Sequence, residues 1–158
     1  MELDRFDRRL LNLVQQDAAQ TTEHLAAQVG LSASAVQRRL RRLREEGVII
    51  RDVAIVDAKK IAATTFFVAS LQVERERPEL LAQFRTWIAA QEQVQQAFYV
   101  TGDADFVLVV TATDTESYDA FMSRLVQENP NVKRFNTNVV LGTVKRELAI
   151  PVPADTND

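Results

Sequence analysis

Residues 21–47 read TTEHLAAQVGLSASAVQRRLRRLREEG, and no other stretch of the chain leaves so few local structures open. Leu25, Ala26 and Val29 form one apolar stripe at helical spacing, Gly30 supplies a residue able to turn the chain sharply, and Ser32 is placed to cap a second helix. In that second helix Val36, Leu40 and Leu43 fall at i, i+4 and i+7, so one side packs inward. At about 100° per residue the opposite side carries Ser34, Gln37, Arg38 and Arg41, with Arg42 beside them. The pattern predicts helix, tight turn, helix, with an arginine-rich outer face.

A run of arginines is most often a solvated helix face, and two features argue for more. The five arginines between positions 38 and 44 are followed only by Glu45 and Glu46, so the alternating acids that balance an exposed face are missing. The Gly-Leu-Ser turn stands where a helix-turn-helix needs it. Arginine bonds guanine in bidentate fashion, glutamine bonds adenine, and serine bonds several base edges. The candidate DNA-binding residues are therefore Ser32, Ser34, Gln37, Arg38, Arg41 and Arg42. Gln37 and Arg38, nearer the helix N-terminus, are expected to read bases, and Arg41 and Arg42 to hold phosphates.

The net charge of −3 argues weakly against a nucleic-acid partner until it is divided along the chain. Residues 1–60 carry 11 basic and 9 acidic side chains, net +2, whereas residues 61–158 carry 8 and 13, net −5. Salt screens charges beyond roughly 10 Å, so DNA responds to the local face and not to the total. The chain has no cysteine, which excludes disulfides, thiolate metal sites and thiol catalysis and fits a reducing cytoplasm. No run of about 18 apolar residues exists and the N-terminus is charged from Glu2, so neither a membrane span nor a signal peptide is expected.

The N-terminal segment spaces Phe6, Leu10, Leu13 and Val14 helically after Asp4, completing a three-helix unit. After Gly47 the segment VIIRDVAIVD is β-branched with a central charged pair, which suits a wing hairpin and a linker strand. From Thr64 the pattern alternates. TTFFVASLQVE reads as strand, RPELLAQFRTWIAAQE as helix with Pro78 in its first turn, and QVQQAFYVT as strand. Gly102 and Asp103 turn the chain into the strand ADFVLVVTATD, the helix TESYDAFMSRLVQE follows, and VKRFNTNVVLGTVKREL forms a last extended run. The order βαββαβ is that of a ferredoxin-like sandwich with both helices on one sheet face, making the chain α+β. The expected domains are a winged helix-turn-helix at 1–50, a wing and linker strand at 51–63, the ferredoxin-like domain at 64–150 and a tail at 151–158.

The strands are apolar on both sides. Phe67, Ala69, Leu71 and Val73 alternate with Phe66 and Val68, and Phe106, Leu108 and Val110 alternate with Val107 and Val109. Two helices cover one face only. Self-association through the other is the economical expectation, because so much exposed apolar surface is a liability in a soluble monomer.

Four segments carry a family resemblance: LDRFDRRLLNLVQQDA, GLSASAVQRRLRRLREEGVI, TGDADFVL and TNVVLGTVK. In this order and spacing, over nearly the whole chain, the sequence resembles the Lrp/AsnC family of leucine-responsive and asparagine-linked regulators. The resemblance implies an N-terminal winged helix-turn-helix that binds double-stranded DNA, a C-terminal effector and oligomerisation domain, and homodimers that assemble into octamers. It implies an amino acid as effector; the missing phosphate-loop, HExxH and cysteine motifs leave no cofactor or metal expected. The family's ligand lies between neighbouring dimers, which maps onto Val100, Thr101, Gly102, Asp103 and Asp105, with Asn138, Val139 and Val140 facing them. The residue types suit an amino acid, since turn N–H groups can hold a carboxylate, an aspartate an ammonium, and valines a side chain. Asp105 is the preferred ammonium partner and Asp103 the second. Read without the family, a Gly-Asp turn between strands is ordinarily just a hairpin.

The sequence departs from the family pattern at Ala104, where an aromatic residue is common, and at His24, where an acid is common. Some proteins of this architecture act as sirohaem decarboxylases, which leaves a small-molecule-binding or catalytic protein with a vestigial DNA module as the alternative. Residues 61–158 contain no histidine, and the chain has no phosphate loop, HExxH motif or Gly-x-Ser-x-Gly elbow. Ser117, Tyr118 and Asp119 read as helix capping and surface polarity. No catalytic residue is expected.

Overall fold

The computed structural model describes residues 2–61 and 64–153 and divides into two units, one comprising Met1–Ile55 with Lys145–Asp158 and the other Val56–Val144. The expected linker ends in Ala62 and Ala63, and the expected tail in residues 154–158, which lie outside the described residues.

The first unit begins with helix α1, Arg5–Gln16, whose N-terminus is closed by a capping box. The Asp4 carboxylate accepts from the N–H groups of Phe6 and Asp7, each at 2.9 Å, and the Asp7 carboxylate accepts from the Asp4 N–H at 3.3 Å. Helix α2, Thr22–Val29, is capped by Thr21 and ends at Gly30, whose φ of +75° lies in the left-handed region that favours glycine. Helix α3, Ala33–Glu45, starts at Ser32, whose hydroxyl accepts from the Ala35 N–H at 3.2 Å. Leu25, Ala26, Val29, Val36, Leu40 and Leu43 are all buried, as their spacing predicts.

Helix α1 departs from its expected stripe. Its buried positions are Asp7, Leu10 and Leu11, while Phe6, Leu13 and Val14 are only partly buried. A carboxylate thus occupies the inward position that an apolar count passes over. Phe6 lies instead at the edge, with the guanidinium groups of Arg5 and Arg39 at 4.9 and 5.4 Å from its ring centre.

The wing hairpin expected after α3 is not formed among the described residues. Residues 48–57 hold no strand, and the short helix α4, Ala58–Ile61, follows. Ile50, Val53 and Ile55 are 89%, 54% and 70% exposed, so nothing covers this segment among the described residues, and two lone strands are marginal in water.

The second unit contains β1 Thr65–Val73, α5 Pro78–Ala89, β2 Val94–Tyr99, β3 Phe106–Ala112, α6 Thr115–Glu128 and β4 Val132–Val139. The strands form one antiparallel sheet in the order β2-β3-β1-β4, the ferredoxin-like arrangement that βαββαβ predicts. Phe67, Ala69 and Leu71 of β1 lie opposite Val110, Leu108 and Phe106 of β3, and all six are buried against α5 and α6. Phe67 stacks on Tyr118, ring centres 4.0 Å apart, and the Tyr118 hydroxyl reaches that of Thr137 at 2.6 Å. The opposite face carries Phe66, Val68, Val107, Val109 and Phe98, and no helix of this unit packs on it. The last strand ends at Val139, well short of the expected run, and just beyond it the Val140 N–H donates to the Phe66 carbonyl at 2.9 Å.

Candidate functional site

The outer face of α3 exposes Ser34, Gln37, Arg38 and Arg41. Arg41 pairs with Glu45 at 3.1 Å, but the two side chains are 79% and 65% exposed, so water weakens the contact to a marginal one. Arg44 pairs with Asp52, also at 3.1 Å. Of the five arginines from 38 to 44, Arg38 alone makes no hydrogen bond or ion pair among the described residues. It lines a shallow hollow with Arg39 and Arg42. Ser32 is spent on the cap, with its hydroxyl 3.2 Å from that of Ser34.

Arg39 and Arg42 have a different task. Arg39 donates to Asp7 Oδ1 at 2.8 Å and to Asp4 Oδ2 at 2.7 Å, and Arg42 donates to Asp7 Oδ2 at 2.5 Å. The Asp7 side chain is 1% exposed, so both of its oxygens are engaged by α3 from inside the fold. Burial pushes the Asp4 carboxyl up, but the Asp7 N–H, the Arg39 guanidinium and the Phe6 N–H together hold it below its ordinary value. Burial draws the Arg39 guanidinium down, and Asp7 and Asp4 outweigh it and raise it. Arg42, expected at phosphates, thus gives one N–H to Asp7 while its side chain stays 44% exposed. Sequence reasoning missed Arg39 and Asp7 altogether. The one signal was an acid inside the apolar stripe of α1, and its partners stand over 30 residues away.

In the second unit the turn after β2 is tightly held. The Val100 N–H donates to the Asp105 carbonyl and the Asp105 N–H to the Leu71 carbonyl, both at 2.9 Å. Gln72 donates its side-chain amide to the Asp103 carbonyl, and Gly102 adopts φ +116°. Asp105 Oδ2 accepts from the Val73 N–H at 2.7 Å, where the pairing of β1 with β4 shifts register. Asp105, the preferred ammonium partner, is therefore committed on one oxygen to closing the sheet. The carboxylate of Asp103 is exposed and makes no hydrogen bond or ion pair among the described residues.

Asn138 and Val139 pair with Val68 and Phe67, and the Val140 N–H donates to the Phe66 carbonyl at 2.9 Å. They stand at the β4 edge of the sheet, whereas the turn ends β2 on the opposite edge. Phe66 and Leu71, to which the two clusters bond, are five residues apart, about 17 Å along β1. One chain does not bring Val100–Asp105 and Asn138–Val140 together.

A groove the sequence did not announce lies between α5 and β2, lined by Arg85, Ile88, Ala89, Ala97, Phe98, Tyr99 and Phe106. Arg85 sits 4.8 Å from the Tyr99 ring centre and closes one side of it. His24 is exposed in the first turn of α2. Of the triplet at the start of α6, Tyr118 is core and not surface, while the Ser117 N–H is capped by Asp114 at 2.7 Å. That bond is the main reason the Asp114 carboxyl lies below its ordinary value. Among the described residues no group of side chains could hold a metal ion, and no helix is long and apolar enough to cross a membrane.

Comparison with known proteins matches residues 3–44 to the AsnC-type helix-turn-helix domain and residues 66–150 to the Lrp/AsnC ligand binding domain. The chain is 46% identical to an uncharacterised HTH-type transcriptional regulator of Sinorhizobium fredii over 96% of its own length and 90% of that protein. It is 30% identical to the leucine-responsive regulatory protein of Escherichia coli over 92% of its length and 88% of that protein. The crystal structure of an AsnC family transcriptional regulator from Agrobacterium tumefaciens superposes with a TM-score of 0.87 at 28% identity, covering 94% of this chain and 97% of that one.

Proposed function

Since the chain belongs to the Lrp/AsnC family of transcriptional regulators, we propose that it reads double-stranded DNA with the outer face of α3 and answers to an amino acid bound by its second unit. The family is one of regulators and not of enzymes. One observation carries the DNA reading: Arg38, beside exposed Ser34 and Gln37, makes no ion pair among the described residues, while Arg39 and Arg42 tie the same helix to a buried carboxylate. A reading helix needs free donors and a fixed pose. In this reading Gln37 and Arg38 contact bases, Arg41 and the exposed part of Arg42 contact phosphates, and Ser32 holds the helix start at the groove. The setting is the cytoplasm.

Arg38→Ala should cost roughly 1–3 kcal/mol on the preferred operator and relax base preference at one position. Arg41→Ala, whose partner Glu45 is weakly bound, should weaken specific and random DNA alike and lower the salt slope. Mobility shifts on the chain's own upstream region and on random DNA measure both. Equal losses on the two DNAs for Arg38→Ala would remove it from base reading.

For the effector, the separation of the two clusters supports a site completed by a second copy, with Val100–Asp105 from one chain facing Asn138–Val140 of another. The open sheet face supports a homodimer, and contacts at the turns would build dimers into an octamer. Between the two acids, geometry favours Asp103 for the ligand ammonium, since Asp105 already holds Val73. An amino acid that raises the melting temperature should lose most of that shift in Asp103→Asn and leave DNA binding without effector unchanged. An undiminished shift in that variant would exclude Asp103 from the site.

A further inference from the structure

The described C-terminal segment, which belongs with the first unit, runs antiparallel to α1 and is held by side chains from one face of that helix. Arg8, Asn12 and Gln15 are spaced four and three residues apart and so share a face. The Gln15 side-chain amide accepts from the Ile150 N–H at 2.8 Å and donates to the Ile150 carbonyl at 3.0 Å. The Asn12 amide does the same with Val152, both bonds at 3.0 Å, and Arg8 donates to the Pro153 carbonyl at 3.3 Å. A side-chain amide carries the donor and acceptor of a peptide group, so two amides on a helix here replace a neighbouring β-strand.

The tail sequence fits this arrangement. In Ile150-Pro151-Val152-Pro153 the prolines have no N–H, so the only two backbone donors are those of Ile150 and Val152, and α1 satisfies both. Each also precedes a proline, which steers it toward extended backbone before it binds and lowers the entropy lost on docking. The Val152 side chain adds an apolar anchor by packing against the helical core.

We propose that the Arg8-Asn12-Gln15 face of α1 is a recognition site for an extended, proline-alternated segment, and that its occupant is the chain's own C-terminal segment. Occupancy is what assigns the segment after residue 144 to the first unit, so the chain passes between the units at residues 144 and 145 as well as at 55 and 56. Helix α1 also carries Asp7, to which Arg39 and Arg42 of α3 are tied, so whatever steadies α1 steadies the helix proposed to read DNA. That last consequence rests on the DNA reading; the site itself does not.

Amide hydrogen exchange on the full chain tests the site without DNA. In the wild type the Ile150 and Val152 amides should be protected, and in Asn12→Ala/Gln15→Ala both should exchange at least about tenfold faster, while amides of β1 and α6 keep their rates. Asn12→Asp keeps the acceptor for the Val152 N–H and loses the donor, so its Val152 rate should fall between the two, a grading that loss of packing alone would not give. Ending the chain after Leu148 should shift the side-chain amide resonances of Asn12 and Gln15, an independent measure should the double variant unfold. Unprotected Ile150 and Val152 in the wild type, unchanged protection in the double variant, or unmoved resonances in the shortened chain would each overturn the proposal. If the exchange results hold but the double variant binds DNA as the wild type does, the site stands and its link to DNA reading falls.

Discussion

Replacing Asp7 by Ala should lower the stability of the N-terminal helical unit by about 3 kcal/mol. Its carboxylate is the one buried charge of that unit among the described residues, and three donors converge on it from Arg39, Arg42 and the Asp4 N–H. Removing one member of a buried ion pair costs most when the survivor stays buried and unpaired. Here the survivors are arginines 21% and 44% exposed, and Arg39 keeps Asp4 at 2.7 Å, which places the loss at the lower end of the usual range. Arg39→Ala should cost nearly as much, because it leaves the buried carboxylate with Arg42 as its one cation beside the Asp4 N–H, and Arg42→Ala should cost least. The single tryptophan, Trp87, lies in the other unit, so its fluorescence provides an internal control. In urea, the share of the helical circular dichroism of Asp7→Ala that comes from α1–α3 should be lost at lower denaturant than Trp87 fluorescence, and the share from α5 and α6 together with it. A variant whose two curves match the wild type would show that the cluster does not hold the unit together. Acid acts on the same cluster. Because the folded-state value of Asp4 is lowered, its contribution is complete above the ordinary carboxylate range and is lost as the pH falls through the lowered value.

Val107→Glu should weaken the proposed homodimer by several kcal/mol, or upwards of a hundredfold. Val107 pairs with Ser70 on one side and Phe98 on the other, near the centre of the sheet face that carries no helix. Its side chain points away from the core of its own unit, so the fold should survive the change. In a two-fold interface each substitution enters twice, so two carboxylates would lose water together on an apolar surface. Val107→Thr, which keeps the branched shape, should associate far more strongly than the glutamate variant. Sedimentation equilibrium separates the outcomes. A folded Val107→Glu chain that sediments as the wild type does would move the interface to another surface.

The helical stripes of α2 and α3 and the alternation of β1 and β3 were legible because each is a local pattern enforced by burial on one side. Position 7 was not, since an aspartate in a stripe reads as a surface residue until two arginines from another helix are found around it. The wing was over-read for the converse reason: Val48, Ile50, Val53 and Ile55 have strand propensity, but propensity makes no sheet without a partner. Tyr118 was taken for surface because a helix start is usually polar, and its stacking on Phe67 comes from the opposite side of the layer.

What the sequence determined by itself is the class of the α1–α3 helices and of the βαββαβ elements, and the two-part plan, since caps, turn residues and apolar period act within a few residues of chain. It also marked the arginine-bearing face of α3. Only the tertiary structure decided which arginine of α3 stays unpaired among the described residues, because pairing with Asp7 or Asp52 depends on how separate segments meet. It alone showed that Asp105 is bound to Val73 and that Val100–Asp105 and Asn138–Val140 sit on opposite edges of one sheet. It alone found the tail on α1, a contact between residues 135 to 145 positions apart. Local pattern fixes what a segment becomes; the order in which strands pair and helices meet fixes which side chains are left to act.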